Sequence, residues 1–537
     1  MSEEVTNQPP PLEGYDAFTA DAWLADAVKR AKAAWIEPAA TELGAYVGSA
    51  QAQALAVTAN RNTPQLKTHD RFGNRVDLVE YDASYHALMA RAISSGVHSL
   101  AWKRDSGGFT GRAVLFYLWN QLEVGTSCPM TMTFASIPMF EHAPEIGRAW
   151  KPKILSDRYD PRPLRIDEKS GATVGMAMTE KQGGSDLRAV QTAATRSGDT
   201  WRLEGHKWFC SAPMSDAFFT LARAPEGVTC FFVPRSLPDA TRNDFEIQRL
   251  KDKCGNRSNA SSEIEYHGTH AWLVGEPGRG IATLIEMAHH TRFDIVVGVA
   301  GMMRAALNQA IHHARHRSAF GKPLADHALM ANVLADLAIE TEAATLLAFR
   351  LAQAFDASAA DTNERNLQRI LTPIAKYWLC KRMTPLAVEA MECLGGNGYV
   401  EEAPLARLYR EAPLNGIWEG SANVICLDVL RAIDRAPESL AALVKEMAPE
   451  EGDRIYERLW DVKTALADPA VAESQARAVV ETLAKCMQAS LMRRYADPVA
   501  ADAFIDSRLG DDAHRAFGTL GATFDARAIV ERAALRI

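Results

Sequence analysis

Between about residue 174 and residue 275 the chain changes texture, and this change limits the fold more than any other feature. Short runs rich in β-branched and aromatic residues, Thr200–Leu203, Trp208–Cys210, Phe218–Ala222, Thr229–Pro234, Phe245–Leu250 and Ser262–His267, alternate there with Gly, Pro, Asn and Asp. Trp201 and Leu203, then Ile264 and Tyr266, fall two apart, the period of half-buried strands. On either side the periodicity is helical. Residues 20 to 155 are rich in Ala, Leu and charge, and from about 280 Met303, Leu307, Ile311 and Ala314 form one apolar stripe. Further helices near 327–356, 367–394 and 421–434, with short connections, predict an antiparallel bundle. Beyond Pro437 the chain is helical again, with breaks at Pro449, Pro469 and Pro498. An α+β fold follows. Its expected parts are an N-terminal extension (1–45), an N-terminal α domain (46–174), a middle β domain (175–284), a helix-bundle domain (285–434) and an additional helical domain (435–537).

Composition narrows the function classes. The 537 residues are 47% hydrophobic and 23% charged, as in ordinary globular proteins. With 59 basic against 67 acidic residues the net charge is −8, so a broadly basic nucleic-acid binder is excluded, while a local basic patch is not. Ile295–Met303, an apolar run shut between Asp294 and Arg304, falls far short of the ~20 residues a bilayer span needs. The Pro-rich acidic start has neither a basic nor an apolar leader region, so no signal peptide is expected. Eight scattered cysteines with no CxxC suit reduced thiols, and a cytoplasmic location is expected.

Five segments carry candidate chemistry, each with a plainer alternative. Met178-Thr179-Glu180-Lys181-Gln182-Gly183-Gly184-Ser185-Asp186 can present N–H and O–H donors to a phosphate or a planar ring, or form a simple turn. Gly205-His206-Lys207-Trp208-Phe209-Cys210-Ser211 offers an aromatic face, or a core tryptophan. Arg315 to Leu324, at the end of a long helix, can bind phosphate through arginine or present a solvated charged face. Met391 to Tyr399 reads as a helix C-terminus and tight turn, useful to a ligand where its backbone is exposed. In Ile417-Trp418-Glu419-Gly420-Ser421-Ala422-Asn423 a carboxylate lies in partly apolar surroundings. There burial would raise its proton affinity toward that of a general base; the alternative is a helix-start carboxylate favoured by the dipole.

In sequence order, Thr-Glu-x-x-Gly-Gly-Ser-Asp, Lys-Trp-Phe, Arg-x-x-Phe-Gly-x-Pro-Leu, Leu-Gly-Gly-Asn-Gly-Tyr and Trp-Glu-Gly-Ser together resemble the acyl-CoA dehydrogenase flavoprotein family over about residues 130 to 430. GMAMTEKQGGSD, GHKWF, LKDKCGNRSNAS, TRFD and LYREAPLNGIWEGS, with the helical tail, are similar more narrowly to its adaptive alkylation-response (AidB) branch along nearly the whole chain. The resemblance implies an α domain, a β domain and a four-helix bundle, a homotetramer built as a dimer of dimers, and one FAD per subunit. It implies that Met176, Met178, Thr179, Gly184 and Ser185 contact the flavin and its phosphates, and that Trp208, Phe209, Cys210 and Ser211 flank the isoalloxazine. Arg317, Phe320, Gly395 and Gly396 match positions that reach a neighbouring subunit's FAD.

Glu419 matches the base that removes the substrate α-proton while the β-hydrogen leaves as hydride to flavin N5. Trp418, Gly420, Ser421 and Asn423 belong to the same cofactor-binding motif, and Arg292 is expected at the substrate. The substrate implied is an acyl-CoA or related thioester, whose carbonyl must be polarised, in part by a backbone N–H near Glu419. The implied electron acceptor is an electron-transferring flavoprotein. Three departures stand out: Glu392 where many relatives carry Gln, Ala319 in place of a common Thr, and Thr291 where some relatives place an alternative base.

His312 and His316 have metal-ligand spacing on one helix face, but no third ligand follows, and no metal is expected. Two function classes remain, an FAD-dependent acyl-CoA dehydrogenase and a protective protein that binds double-stranded DNA. For the second, residues 431–537 hold 15 basic and 18 acidic side chains, so only local clusters serve: Arg493-Arg494, or Arg249, Lys251, Lys253 and Arg257.

Overall fold

The computed structural model describes residues 5–511 and 514–537; the first four residues of the acidic lead and residues 512–513 of the C-terminal segment lie outside the described residues. The chain divides into two compact units, one of Met1–Ala50, Phe109–Leu122 and Ile295–Ile537, the other of Gln51–Gly108 and Glu123–Asp294.

The second unit is built on a seven-stranded sheet. Along it run Val174–Ala177, Ala217–Ala224, Ala193–Ser197, Thr200–Ser211, Ser261–Val274 and Gly227–Pro234, with Phe245–Leu250 added to Ser261–Val274. Ala217–Ala224 also pairs antiparallel with Gly227–Pro234, so the path closes on itself and removes most of its edge. Leu203, Cys210, Phe218, Phe231, Ile247, Ile264 and Tyr266 fill the interior. Trp201 and Leu203 face inward as their two-residue spacing requires.

A hairpin of Gln65–His69 and Arg75–Glu80 lies within the stretch read as helical. Its anchor is Asp77, fully buried and at φ 44°, whose carboxylate accepts from Arg75, Arg242 and the Ile247 N–H at 2.8–3.1 Å. A buried carboxylate is tolerable only with such partners.

The first unit is helical. Ala328–Ala357 and Ala422–Arg435 both pack on Thr362–Cys393, and Ala476–Tyr495 packs on all three. Asp361 caps Thr362–Cys393, accepting from the Asn363 and Glu364 N–H groups, which moves its start ahead of residue 367. That helix runs straight through Pro373 and Pro385. Each removes a donor, about 3 kcal/mol in an isolated helix, so burial along much of the helix must outweigh the loss. Arg304 and Asp21, each 1% exposed, pair at 3.0 Å, and Asp21 also caps Ala22–Arg30. Arg508 reaches Asp336 and Glu340 from the C-terminal segment. Burial raises the Glu340 carboxyl, but Arg382 and Arg508 outweigh it and hold it at about 2. No helix among the described residues is long and apolar enough to cross a membrane.

Candidate functional site

The β unit presents one set of the expected residues. The pairing of Thr200–Ser211 with Ser261–Val274 slips once between Leu203 and Glu204 and again between Lys207 and Cys210. Trp208 and Phe209 occupy this bulge, a device that re-aims side chains. Trp208 is half-buried and Phe209 is 48% exposed, whereas Lys207 and Cys210 on either side are fully buried. The Trp208 N–H, freed from the ladder, donates to the Thr179 carbonyl at 2.7 Å and so ties the bulge to the glycine loop. Over the indole lies the Lys251 ammonium, 3.3 Å from the ring centroid.

Beneath the loop Glu180 is locked. It accepts from Lys207 at 2.7 Å, the Thr192 hydroxyl at 2.5 Å, the Gln191 N–H at 2.7 Å and Gln182 at 2.6 Å. Burial raises its carboxyl, but Lys207 and these bonds outweigh that and hold it at about 2. Burial lowers Lys207 to about 8 against the opposing pull of Glu180. The pair leaves the loop surface to other groups. Ser185 is exposed and its hydroxyl has no partner among the described residues. Met178, Thr179 and Gly184 are half-buried, and a Cβ on Gly184 would meet Thr179 Oγ1 at 2.4 Å. An unengaged hydroxyl, a tight glycine and an aromatic face fit a cofactor that combines phosphates with a flat ring, as FAD does. Met176 and Cys210 turn into the core, with the Cys210 thiol pushed up to about 12 by burial, so only their backbone can serve a ligand. Ser211 bonds Ser261 at 3.1 Å. Arg292, buried on the helix Gly280–His316, belongs to this unit too.

The helical unit holds the other set. Glu419 stands at φ 57° and Gly420 at φ 110°, consecutive positive values that glycine accepts and glutamate resists. Such a turn persists only when its surroundings over-determine it. Lys376, 1% exposed, donates to the Gly420 carbonyl at 2.5 Å. Trp418 Nε1 donates to Asn415 Oδ1 at 3.2 Å, and the Asn415 carbonyl accepts from the Cys380 thiol at 3.1 Å. One Glu419 carboxylate oxygen is closed off from solvent. Ser421 is the N-cap of Ala422–Arg435, with no bond from its hydroxyl to that helix. Asn423 accepts from Arg477 of Ala476–Tyr495 at 2.8 Å.

Arg317, Phe320, Gly395 and Gly396 lie at the surface of the same unit. Phe320 and Gly321, at φ 50° and 83°, form the turn between Ser318–Ala319 and Lys322–Pro323, and Phe320 is 97% exposed. Nothing lies within 4 Å of a Cβ placed on Gly395 or Gly396. Arg317 donates to the Asn7 carbonyl, and Asn397 bonds Gln8 at 3.1 Å, so the N-terminal segment lies beside this edge. His312 bonds the Pro10 carbonyl through Nε2, and His316 the His312 carbonyl through Nδ1.

Sequence reasoning named Glu180 and Lys207 only as letters of their motifs and missed Lys376, Asn415 and Arg477. An ionisable pair flanking glycine and tryptophan motifs was a usable signal for the first two. The last three depend on packing across more than forty residues or across helix faces.

Fold and site together define a flavoprotein dehydrogenase architecture. Residues 7–161 match the AidB N-terminal domain, 175–269 the acyl-CoA dehydrogenase middle domain and 278–434 its C-terminal domain. AidB of Escherichia coli (strain K12) is 43% identical over 520 residues, covering 95% of this chain and 96% of that protein. Acyl-CoA dehydrogenase family member 11 of Caenorhabditis elegans is 29% identical over 477 residues, 86% of this chain and 75% of that protein. Among solved structures, Bd2924 in its apo form superposes with a TM-score of 0.83 at 28% identity, covering 91% of this chain and 99% of its own. Caenorhabditis elegans ACDH-11 in complex with C11-CoA shares the fold, with a TM-score of 0.83 at 24% identity over 99% of this chain and 93% of its own. The chain belongs to the acyl-CoA dehydrogenase family of FAD-dependent oxidoreductases. Within it, the N-terminal domain and the full-length match put it in the AidB branch.

Proposed function

We propose that the protein is a working FAD-dependent acyl-CoA dehydrogenase with Glu419 as the base. The supporting observation is the strained turn at Glu419 and Gly420, held by Lys376. A carboxylate kept in a left-handed turn by a buried ammonium that bonds the next residue's carbonyl has been positioned rather than left to solvent.

Glu419 takes the α-proton of a thioester whose carbonyl is polarised by neighbouring N–H donors. The Cα–H electron pair becomes the new Cα=Cβ bond as the β-hydrogen departs with its own pair. FAD, when bound, accepts that hydride. Met178, Thr179, Gly184, Ser185, Trp208 and the backbone through Ser211 would hold the ring and phosphates. Arg317, Phe320, Gly395 and Gly396 would serve a neighbouring subunit in a homotetramer, and an aromatic ring as exposed as Phe320 is what such an interface covers. Arg292 would meet the substrate, an electron-transferring flavoprotein would take the electrons, and the cytoplasm is the expected location.

The test is anaerobic titration of the purified flavoprotein with short, branched and long acyl-CoAs, following flavin absorbance. One of them should bleach the flavin. Glu419→Gln should keep FAD and slow bleaching by about 10²–10⁴-fold, the usual worth of a general base; bleaching at an unchanged rate would remove Glu419 from the reaction.

A second reading, binding to double-stranded DNA, has one favourable observation. Lys251, Lys253 and Arg257 line a cavity of about 210 Å³ in the β unit whose only acidic wall residue is Asp252. Lys251 already pairs with Glu263 at 2.6 Å, which leaves Lys253 and Arg257 as the cavity's phosphate-facing cations; in the other candidate cluster Arg493 pairs with Asp453 and Arg494 with Glu446. Affinity for duplex DNA should fall steeply with salt if phosphates are contacted, and an isotherm insensitive to salt would dispose of this reading.

A further inference from the structure

A second cavity in the β unit, of about 270 Å³, contains none of the residues assigned above to flavin, base or substrate. It is slightly smaller than the ~300 Å³ at which drug-sized sites begin, so it suits a small molecule. Three tyrosines shape it. Tyr81 and Tyr85 stack with ring centroids 4.1 Å apart and 16° between planes. Tyr159 stands across from them, its hydroxyl 2.9 Å from His86 Nδ1. Burial lowers the His86 pKa, which keeps that ring neutral near pH 7.

The charged side chains of the wall are all carboxylates, Glu80, Asp160 and Asp216, with no lysine or arginine among the lining residues. From behind the wall Lys169 answers Asp216 at 2.9 Å and Arg162 answers Asp160 at 2.8 Å. Arg235, buried against Met214 at 2.9 Å, also faces Asp216, while Glu80, exposed at the end of its strand, is the one wall carboxylate with no ion pair among the described residues. One further group is unsatisfied. Ser215 lines the cavity, is 2% exposed, and its buried hydroxyl bonds nothing. A buried polar group without a partner costs about 1–3 kcal/mol, and a ligand hydroxyl or N–H would remove that cost.

Aromatic rings beside an unpaired carboxylate are chemistry that binds ammonium groups. We propose that this cavity is a binding site for a small organic ammonium ion that also carries a hydroxyl or N–H: the cation lies against the tyrosines within the field of Glu80, and the hydroxyl or N–H bonds Ser215. The site is separate from the dehydrogenase reading and stands without it.

Calorimetric titration of the FAD-loaded full-length protein with choline, and with its neutral isostere 3,3-dimethylbutan-1-ol, tests the charge requirement. Choline should bind at least tenfold more tightly; equal affinities, or no heat from choline, tetramethylammonium and ethanolamine alike, would overturn the proposal. Ser215→Ala should weaken choline and leave tetramethylammonium unchanged, whereas equal loss for both would contradict the assigned hydroxyl bond. Glu80→Gln, an exposed change that leaves the fold intact, should weaken every ammonium and spare the neutral isostere. Unaltered ammonium affinity in that variant would refute the role of charge.

Discussion

The glycine loop of the β unit and the Phe320–Gly396 edge of the helical unit both resemble flavin-binding elements, yet they are supported in opposite ways. Under the loop, Glu180 gathers its donors and Lys207 answers it in full burial. At the edge, Phe320 is thrust into solvent by its own turn, and Gly395 and Gly396 have open space where a side chain would be. The first element carries its support within one unit of the chain. The second presents apolar surface without cover, which explains why such positions are the ones expected to serve another subunit.

The sharpest way to break this contrast is to remove the brace. Glu180→Gln leaves Lys207 buried without its counter-charge and should cost about 3–5 kcal/mol in chemical denaturation, with loss of FAD. Because the Glu180 carboxyl is depressed to about 2 in the folded state, its contribution is fully present above its unfolded value near 4.5 and is lost as pH falls toward 2. Wild type should therefore lose more stability than the variant between pH 5 and pH 2; parallel pH profiles would show that the pair is not stabilising. Next comes Lys376→Met, which frees the Gly420 carbonyl. It should lower kcat by about 10²-fold, the scale of a misplaced catalytic group, while FAD content and the thermal midpoint change little. Substrate-driven bleaching at the wild-type rate would mean the turn holds itself. The smallest effect on the protomer is expected at the edge. Phe320→Ser should alter protomer stability by no more than about 0.5 kcal/mol, as for other surface changes, yet shift light-scattering mass toward smaller species. An unchanged mass would deprive the edge of its assigned role.

Much of this molecule was legible in the chain. The strand Phe245–Leu250 sits where its residues alternate, and the helices Ala328–Ala357 and Ala422–Arg435 lie within a residue or so of their expected bounds. The losses have physical causes. The hairpin Gln65–Glu80 was hidden in helical surroundings, although Asp70, Gly73 and Asn74 mark its turn; its buried face is Asp77 and Val79, and a charged residue on the inward face masks the strand's alternation. Two short runs, Thr200–Leu203 and Trp208–Cys210, proved to be one twelve-residue strand, because the polar stretch between them borrows its stability from neighbours on both sides. Motif spelling pointed to the candidate residues, while the groups that hold them could be found only by packing. Lys376 lies forty-odd positions from the turn it fixes, and no periodicity links the two.

The C-terminal segment raises a different matter. Ala476–Tyr495 buries Val480, Leu483, Cys486, Met487 and Met492 completely, bonds Trp378 of the bundle through Gln488 at 2.8 Å, and grips Asn423 through Arg477. It is therefore not a detachable module. Cutting the chain near residue 435 would strip cover from the bundle and leave an oily scar prone to clumping, so a family member with a shorter bundle cannot be imitated by trimming this one. The segment and the bundle share one interior, and any change in either must be accommodated by both.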